Sequence, residues 1–301
     1  MTTVETPAAR FWEAYQPGFR FTDEEPGTPE FFADVERHRY QLEPHIPEIV
    51  DFPRWAGADV LEVGCGIATD GARFARAGAR YAGVDSSERA LELARKRFSL
   101  EGLDGAFTRA SATSLPFADE SFDLVYSHGV IHHIPDTASA VREFHRVLRP
   151  GGTALVMLYH RDSLNYYVNI MLLRRILAAT LLIPGAVGVI ARLVGEQSEV
   201  LRGHRDLLRE HGLRYLLDRQ LFLSNNTDGP GNRLSKVYSR RGARELFSQF
   251  ASSRIEVRFL NLRIYPGGAL LGRTAPARRL ERVYGWHLYV CGVKGDERAQ
   301  A

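Results

Sequence analysis

The sequence predicts an α/β protein whose core is a parallel sheet with helices on both faces. Three observations lead to this prediction. The first is that short apolar segments alternate with segments of helical periodicity from residue 59 onward. The second is that the first apolar segment ends in a glycine-rich turn, and the third is the composition: of 301 residues, 45% are apolar and 25% are charged. This composition excludes global disorder, a collagen-like repeat and a small disulfide-built scaffold.

The predicted elements follow one another in order along the chain. Strands are predicted over 59–63, 80–84, 106–109, 123–127, 153–159, 254–262 and 286–293, and helices over 69–77, 88–98, 137–148 and 241–250. In the second of these helices, Leu91, Ala94 and Phe98 share one face, which is the period of an amphipathic helix. The third helix is followed by Pro150-Gly151-Gly152, which cannot continue a helix.

Two further regions do not follow this alternation. Residues 1–58 carry many aromatic side chains among prolines and acids, which predicts an N-terminal cap of short helices. About eighty residues separate the fifth strand from the next core helix, where an ordinary connection has roughly two to six. The predicted organisation is therefore a cap over 1–58, a core over 59–160, an inserted helical lid over 161–240 and the rest of the core over 241–301.

Cysteine usage and hydropathy bear on the compartment. Cys65 and Cys291 form neither a disulfide framework nor a zinc pattern, so we predict a reducing, cytoplasmic environment and no metal site. The first 20 residues lack the basic start and apolar core of a signal peptide. The uncharged run over 176–191 is shorter than the roughly 20 apolar residues that cross a bilayer, and Pro184 interrupts it. It predicts two apolar helical pieces around a bend.

The most informative segment is the end of the first predicted strand, which runs into Gly64-Cys65-Gly66 before a helix. Glycines in this position let the backbone turn tightly and let a ligand come close. Dinucleotide-binding folds place a third glycine where this chain has Thr69, and a lone Gly-x-Gly is equally compatible with a structural turn.

The end of the second strand supports a ligand site. Asp85 lies nineteen residues after Gly66, where an acid can accept hydrogen bonds from both hydroxyls of a ribose. The alternative is that Asp85 caps the following helix, a role that Ser86 or Ser87 could fill equally well.

Three more motifs follow in order: Leu115-Pro116-Phe117 before the fourth strand, His128-Gly129-Val130-Ile131-His132-His133 after it, and Leu148-Arg149-Pro150-Gly151-Gly152 before the fifth. Strongly over residues 55–160 and loosely over 240–293, the chain resembles class I S-adenosylmethionine-dependent methyltransferases of type 11. It is similar to the group of the ubiquinone and menaquinone biosynthesis enzymes. The resemblance implies a Rossmann-like sheet of seven strands, mostly parallel with the last antiparallel, and S-adenosylmethionine as cofactor.

The resemblance also implies where the cofactor lies. The turn over residues 62–66 would lie under its methionine part, and Asp85 would bind the ribose hydroxyls. Many relatives place an acid near the adenine where this chain has Ser111, which can accept a hydrogen bond but carries no charge. The candidate cofactor-binding residues are Glu62, Gly64, Cys65, Gly66, Thr69, Asp85, Ser86, Ser111, Ala112 and His128.

Methyl transfer needs a general base only when the acceptor atom carries a proton, so no fixed triad is expected. The candidate catalytic residues are His132, His133 and His160, because a histidine can remove a proton near neutral pH. Alternatively, the His132–His133 pair positions its loop and His160 forms a wall of the pocket.

The candidate substrate-binding residues are Tyr15, Tyr40, Tyr159, Asn165, Tyr166, Asn226 and Tyr238. The polar segment 225–232 is either a substrate loop or a surface turn.

The two halves of the chain differ in charge. Residues 1–150 hold 16 basic and 24 acidic residues, and residues 151–301 hold 23 and 12. A basic half is a hint of nucleic-acid or anionic-membrane contact, but no nucleic-acid-binding module is present.

The sequence favours methylation of O, N or C on a small, hydrophobic or natural-product-like acceptor. RNA methylation and a non-catalytic cofactor-binding role are the alternatives. Residues 164–194 could contact a membrane peripherally or pack as a lid, and a monomer or homodimer is expected.

Overall fold

A seven-stranded sheet forms the centre of the computed structural model, which describes residues 7–14, 18–262 and 274–296. The strands are β1 (Asp59–Val63), β2 (Arg80–Asp85), β3 (Ala106–Arg109), β4 (Phe122–His128), β5 (Leu148–Tyr159), β6 (Ser252–Arg258) and β7 (His287–Val293). Their order in the sheet is β3-β2-β1-β4-β5-β7-β6. Strands β1 to β5 pair in parallel, and β7 runs antiparallel to both β5 and β6. The predicted fold class is confirmed.

Helices cover both faces of this sheet. The core helices are α4 (Thr69–Arg76), α5 (Glu88–Glu101), α6 (Thr137–Val147), α12 (Arg240–Leu246) and α13 (Ala275–Tyr284). Successive residues of a strand point to opposite faces. Accordingly, Val60 packs in the core under α4 and α5, while its neighbour Leu61 packs in the core under α6 and α12. The parallel strands are thus buried on both sides, as an α/β sheet requires.

The cap and the lid are helical. The cap contains α1 (Pro7–Ala14), α2 (Pro29–Leu42) and α3 (Ile46–Val50), with short 3-10 turns at Phe19–Phe21 and Phe52–Trp55. The lid contains a π-type helix (Asn165–Arg174), α7 (Arg175–Thr180), α8 (Ala186–Val194), α9 (Ser198–His211), α10 (Leu213–Leu217) and α11 (Arg219–Thr227). Among the described residues, no helix combines the length and the apolar character needed to cross a membrane.

The end of the chain departs most from the predicted elements. Strand β6 ends at Arg258 and not at residue 262, because Phe259 has a left-handed backbone (φ 68°) that cannot continue a strand. Helix α13 was not predicted from the sequence, although Thr274 caps it by accepting a hydrogen bond from the backbone N–H of Ala277. The remaining predicted strands and helices are present, with ends that shift by a few residues.

Candidate active site

The glycine-rich turn lies at the carboxyl end of β1 and is fixed to the neighbouring strand. The backbone N–H groups of Gly64 and Cys65 donate to the carbonyl oxygen of Val84, at 2.8 and 3.1 Å. Gly64 and Gly66 both have positive φ angles, 76° and 53°, which glycine adopts without strain. A Cβ atom added to Gly66 would meet no atom within 4 Å, so open space lies beside this residue. A ligand can therefore approach the backbone there.

Asp85 joins this turn to the start of α5. Its Oδ2 accepts a hydrogen bond from the N–H of Gly66 at 2.8 Å, and its Oδ1 accepts one from the N–H of Ser87 at 2.9 Å. The helix cap is Ser87, whose hydroxyl oxygen accepts from the N–H of Ala90. Burial raises the pKa of Asp85, although these backbone donors act in the opposite direction. Each carboxylate oxygen keeps a second lone pair, which is free to accept a ligand hydroxyl.

A buried polar network lies behind the turn. The hydroxyl of Tyr81 donates to Glu62 Oε2 at 2.6 Å, and burial, together with the charge of Asp70, raises the pKa of Glu62. Asp70 accepts hydrogen bonds from Arg39 and from the hydroxyls of Tyr40 and Tyr126. The hydroxyl of Tyr40, a predicted substrate residue, is thus engaged by Asp70.

The other predicted cofactor residues lie around the same strand ends. Cys65 is buried, and Thr69 is the first residue of α4. The N–H of Ala110 donates to the carbonyl oxygen of Asp85, which brings Ser111 and Ala112 to the end of β2. The Ser111 hydroxyl shares a 2.8 Å hydrogen bond with that of Thr113. His128 ends β4, the strand next to β1, but its side chain lies in a different cluster.

A second group of side chains lies at the carboxyl ends of β4 and β5. We call it the acceptor rim; its members are His132, His133, Tyr159, Asp228 and Trp286. The Tyr159 ring stacks on Trp286 with centroids 4.4 Å apart and lies 3.9 Å from the His132 ring. The Tyr159 hydroxyl donates to Asp228 Oδ1 at 2.9 Å, and Asp228 Oδ2 lies 3.4 Å from His133 Nε2. The rim therefore combines an aromatic wall with a His–Asp pair.

The three candidate histidines differ in their surroundings. His132 is fully buried, neither ring nitrogen has a hydrogen-bond partner among the described residues, and burial lowers its pKa well below the ordinary value. His133 Nδ1 lies 2.7 Å from the Leu234 carbonyl oxygen, so this nitrogen carries the proton and Nε2 keeps a lone pair. His160 Nδ1 donates to the Gly285 carbonyl oxygen at 2.9 Å, and burial lowers its pKa. His133 alone combines a free lone pair with a carboxylate.

The predicted substrate residues fall into two groups. Tyr159 lies in the acceptor rim, and Tyr238 lies beside it, since its N–H donates to the Tyr159 carbonyl oxygen and its hydroxyl donates to Thr137. The others bond within the lid: Asn165 with Asn169, Tyr166 with Arg219, and Asn226 with Tyr215. Tyr15 lies outside the described residues.

Three residues of this region were missed by the sequence reasoning. Trp12 of α1 packs edge-on against His133, with centroids 5.1 Å apart. Asp228 and Trp286 complete the acceptor rim. Asp228 belongs to the polar segment 225–232, so its position could have been singled out there. Nothing in the sequence pairs Trp12 or Trp286 with the histidines.

A further polar cluster, the histidine–glutamate cluster, contains Glu43, His45, His128 and His287. Glu43 lies at the end of α2, His128 ends β4 and His287 begins β7. Burial raises the pKa of Glu43 to about 7 and lowers that of His45 to about 3. Burial also lowers the pKa values of His128 and His287 well below the ordinary value, so the rings are neutral at physiological pH.

Comparison with known proteins identifies the central part of the chain. Residues 61–156 match the family described as a methyltransferase domain. Methyltransferase GfsG of Streptomyces halstedii is 45% identical over 100 residues, which are 32% of this chain and 36% of that protein. Ubiquinone biosynthesis O-methyltransferase of Ruegeria pomeroyi is 32% identical over 117 residues, 39% of this chain and 47% of that protein. The chain thus matches less than half the length of these curated relatives.

Solved structures resemble a larger part of the chain. The PH0226 protein of Pyrococcus horikoshii has a TM-score of 0.51 at 16% identity, covering 95% of this chain and 99% of its own. A SAM-dependent methyltransferase of Methanosarcina mazei has a TM-score of 0.51 at 16% identity, covering 83% and 98%. At such low identity, this likeness shows the shared fold alone.

The strand ends of β1 and β2 fit the cofactor of this family. Open space lies beside Gly66, and the Asp85 carboxylate keeps lone pairs that could accept ribose hydroxyls. The buried Glu62 carboxyl group lies behind the turn, where it accepts a hydrogen bond from the Tyr81 hydroxyl. The sequence match covers this turn and the strands on either side of it. Residues 61–156 therefore belong to a class I methyltransferase domain, and its cofactor is S-adenosylmethionine.

Proposed function

We propose that the protein transfers a methyl group from S-adenosylmethionine to O, N or C of a small, hydrophobic or natural-product-like acceptor in the cytoplasm. The observation that carries this proposal is the Asp85 carboxylate, bonded to Gly66 beside an open turn. The aromatic wall of Tyr159 and Trp286 at the neighbouring strand ends supports an apolar acceptor. Two free thiols, Cys65 and Cys291, suit a reducing compartment.

When bound, the cofactor supplies a methyl group that is already activated by its positively charged sulfur. The protein's task is to hold the two reactants in line and to exclude water. Asp85 would hold the ribose by accepting hydrogen bonds from its hydroxyls, and it accepts the N–H of Gly66, which keeps the turn in shape. The proposal places an apolar acceptor beside the stacked rings of Tyr159 and Trp286, both of which are buried.

His133 is the group that fits the role of general base. Its Nδ1–H is fixed by the Leu234 carbonyl oxygen, so an acceptor proton would move to the lone pair of Nε2. Asp228 Oδ2 lies 3.4 Å from this nitrogen. His132 lacks such a carboxylate contact and is fully buried, which disfavours its charged form.

The proposed activity is tested by incubating the protein with S-adenosylmethionine and panels of phenols, quinols, amines and carboxylic acids. Mass spectrometry is expected to detect an acceptor that gains one CH₂ unit. A parallel panel of RNA oligonucleotides covers the alternative class. Methylation of RNA alone would contradict the proposed acceptor class, and absence of cofactor binding would contradict the activity itself.

We expect His133→Gln to lower kcat at neutral pH by roughly a hundredfold or more, the usual contribution of a general base. Because His133 does not contact the cofactor turn, the affinity for S-adenosylmethionine should remain unchanged. The measurement is the pH profile of kcat with an acceptor that carries a proton on the reacting atom.

His132→Gln and His160→Gln serve as matched controls for that change. Like His133, both histidines are buried, but among the described residues neither lies within 4 Å of a carboxylate oxygen, so their loss should change stability more than the pH profile. Full activity of His133→Gln, with an unchanged profile, would rule out the assignment of the base.

We also propose that the lid contacts a membrane surface, from which the protein could take up a hydrophobic acceptor. Large apolar side chains on the lid helices are exposed: Leu172, Leu173, Ile176, Leu182, Ile183, Val189 and Leu193. All seven fall within residues 172–193, and exposed apolar surface is characteristic of interaction sites. Of the flanking arginines, Arg175 lies over the Phe222 ring and Arg174 lies 3.8 Å from Glu196. The contact would therefore depend on apolar burial more than on charge.

The protein is expected to sediment with liposomes, and the double change Ile176→Asp with Ile183→Asp should weaken binding about tenfold or more. These side chains are 59% and 60% exposed, so the change should leave the fold intact. Leu100→Asp, at a 50% exposed position of α5, is the matched control and should bind as the parent does. Equal liposome binding by the parent, the double variant and Leu100→Asp would contradict a role for the lid. Analytical ultracentrifugation of the parent tests whether the exposed apolar side chains form a dimer interface instead.

A further inference from the structure

The histidine–glutamate cluster, which includes the candidate cofactor residue His128, supplies no step of the proposed methyl transfer, yet it gathers potential metal ligands from three distant segments. Glu43 comes from the cap, His128 from β4 and His287 from β7. One potential ligand atom from each of these three residues lies within 4.8 Å of the other two. The sequence predicted no metal site, because residues spread over nearly 250 positions form no recognisable spacing motif.

The distances within the cluster suit a metal ion. His128 Nε2 lies 3.6 Å from Glu43 Oε2, and His287 Nε2 lies 3.6 Å from Glu43 Oε1. Two ligands of a tetrahedral zinc ion, each about 2.1 Å from the metal, are roughly 3.4 Å apart. The three side chains therefore need only small movements to share one cation.

Several ligand atoms of the cluster lack a partner within the protein. Neither ring nitrogen of His128 has a hydrogen-bond partner among the described residues, and the same holds for Glu43 Oε2. The His128 and His287 side chains are only 6% and 4% exposed, so water offers them little compensation. Burial of unpaired polar atoms costs free energy, and a bound cation would remove that cost.

A positively charged neighbour does not prevent such binding. Arg39 Nη1 lies 3.6 Å from Glu43 Oε2, but the guanidinium group is held by Asp70 through Nε at 2.9 Å and Nη2 at 2.5 Å. The charge of Arg39 is therefore offset by Asp70, which leaves the Glu43 carboxylate to attract a cation.

We propose that Glu43, His128 and His287 form a binding site for a divalent transition-metal ion of the zinc type. Two imidazoles and one carboxylate are a common ligand set for such ions, and three protein ligands leave a coordination position open. His45 completes the arrangement: its Nε2 lies 3.2 Å from His287 Nδ1. Accepting the Nδ1–H of His287 fixes that ring with Nε2 directed at the metal, as outer-shell partners of metal ligands do.

The site is tested by zinc titration of the tag-free, chelator-treated protein in a calorimeter, without cofactor or acceptor. We expect one equivalent to bind, and Co²⁺ in its place should give the visible absorption of a site with nitrogen and oxygen ligands. His128→Gln and His287→Gln should each raise the Kd about a hundredfold or more. His45→Ala should raise it by about ten- to a hundredfold, as the loss of an outer-shell partner does.

His204→Gln is the matched control, because His204 is also buried and bonds to Tyr215, but lies in the lid. It should bind zinc as the parent does. Glu43→Gln, which keeps the shape of the side chain, provides a second test where a histidine variant fails to fold. The proposal is overturned if the parent shows no saturable binding, or if the folded cluster variants bind zinc as tightly as the parent. These outcomes do not depend on methyl transfer.

Discussion

Replacement of Asp85 by Ala should lower the affinity for S-adenosylmethionine by more than about a hundredfold. Its carboxylate is available for two ribose hydroxyls, and hydrogen bonds to a charged group contribute roughly 1.5–3 kcal/mol each. The change also removes the acceptor that holds the N–H of Gly66, so the turn loses its fixed shape. Calorimetric titration with S-adenosylmethionine and with S-adenosylhomocysteine measures the effect.

A second aspartate provides the control for this change. Asp123 Oδ2 accepts a hydrogen bond from the N–H of Asp59 at 2.8 Å, at the amino ends of β1 and β4, whereas the cofactor turn lies at the carboxyl ends. Asp123→Ala should therefore alter stability but not cofactor affinity. Asp85→Asn keeps one acceptor oxygen and should lie between Asp85→Ala and the parent. If Asp85→Ala bound the cofactor as the parent does, the position assigned to the ribose would be wrong.

Gly64→Ala should lower the free energy of unfolding by about 2–4 kcal/mol. An alanine at φ 76° is strained, and its Cβ would lie 2.6 Å from Val130 Cγ1 and closer still to Val130 Cγ2. Because Val130 lies in the loop before the His132–His133 pair, the clash should also displace the acceptor rim. Denaturant unfolding followed by circular dichroism measures the loss.

A substitution at Gly57 distinguishes the two causes of this loss of stability, which are backbone strain and steric overlap with Val130. This glycine has a similar φ angle, 74°, but an added Cβ would meet nothing within 4 Å. Gly57→Ala should therefore show the backbone strain alone, about 1–2 kcal/mol. If both glycine variants lost the same stability, close packing against Val130 would not be the reason for Gly64.

The sequence predicted the fold well where local signals agree with the final structure. Strands such as β1 are apolar, buried on both faces and followed by a turn residue, so their pattern is unambiguous. The end of β6 and helix α13 were less predictable, because the left-handed Phe259 has no sequence signature. The antiparallel direction of the last strand was implied by the family resemblance, whereas the position of β7 between β5 and β6 came from the structure alone.

The cofactor turn and the acceptor rim also differ in how far the sequence reveals them. The turn at Gly64 and Gly66 and the acid at Asp85 lie on neighbouring strands, so spacing along the chain reveals them. The contact of His133 with Asp228 joins residues almost a hundred positions apart, and only the folded lid brings them together. Polar side chains such as Asn226 looked suited to a substrate, but sequence does not show that hydrogen bonds within the lid engage them.

The position of β7 has a consequence for how the chain is made. This strand follows all the others in sequence, yet it lies between β5 and β6 and pairs with both. Until β7 has been synthesised and has left the ribosome, the edge of β5 presents unpaired backbone N–H and C=O groups. Such an open edge can pair with strands of other chains. Folding of the sheet therefore cannot be completed during synthesis of the first five strands. A chain that stops before His287 should aggregate and not persist as a smaller domain.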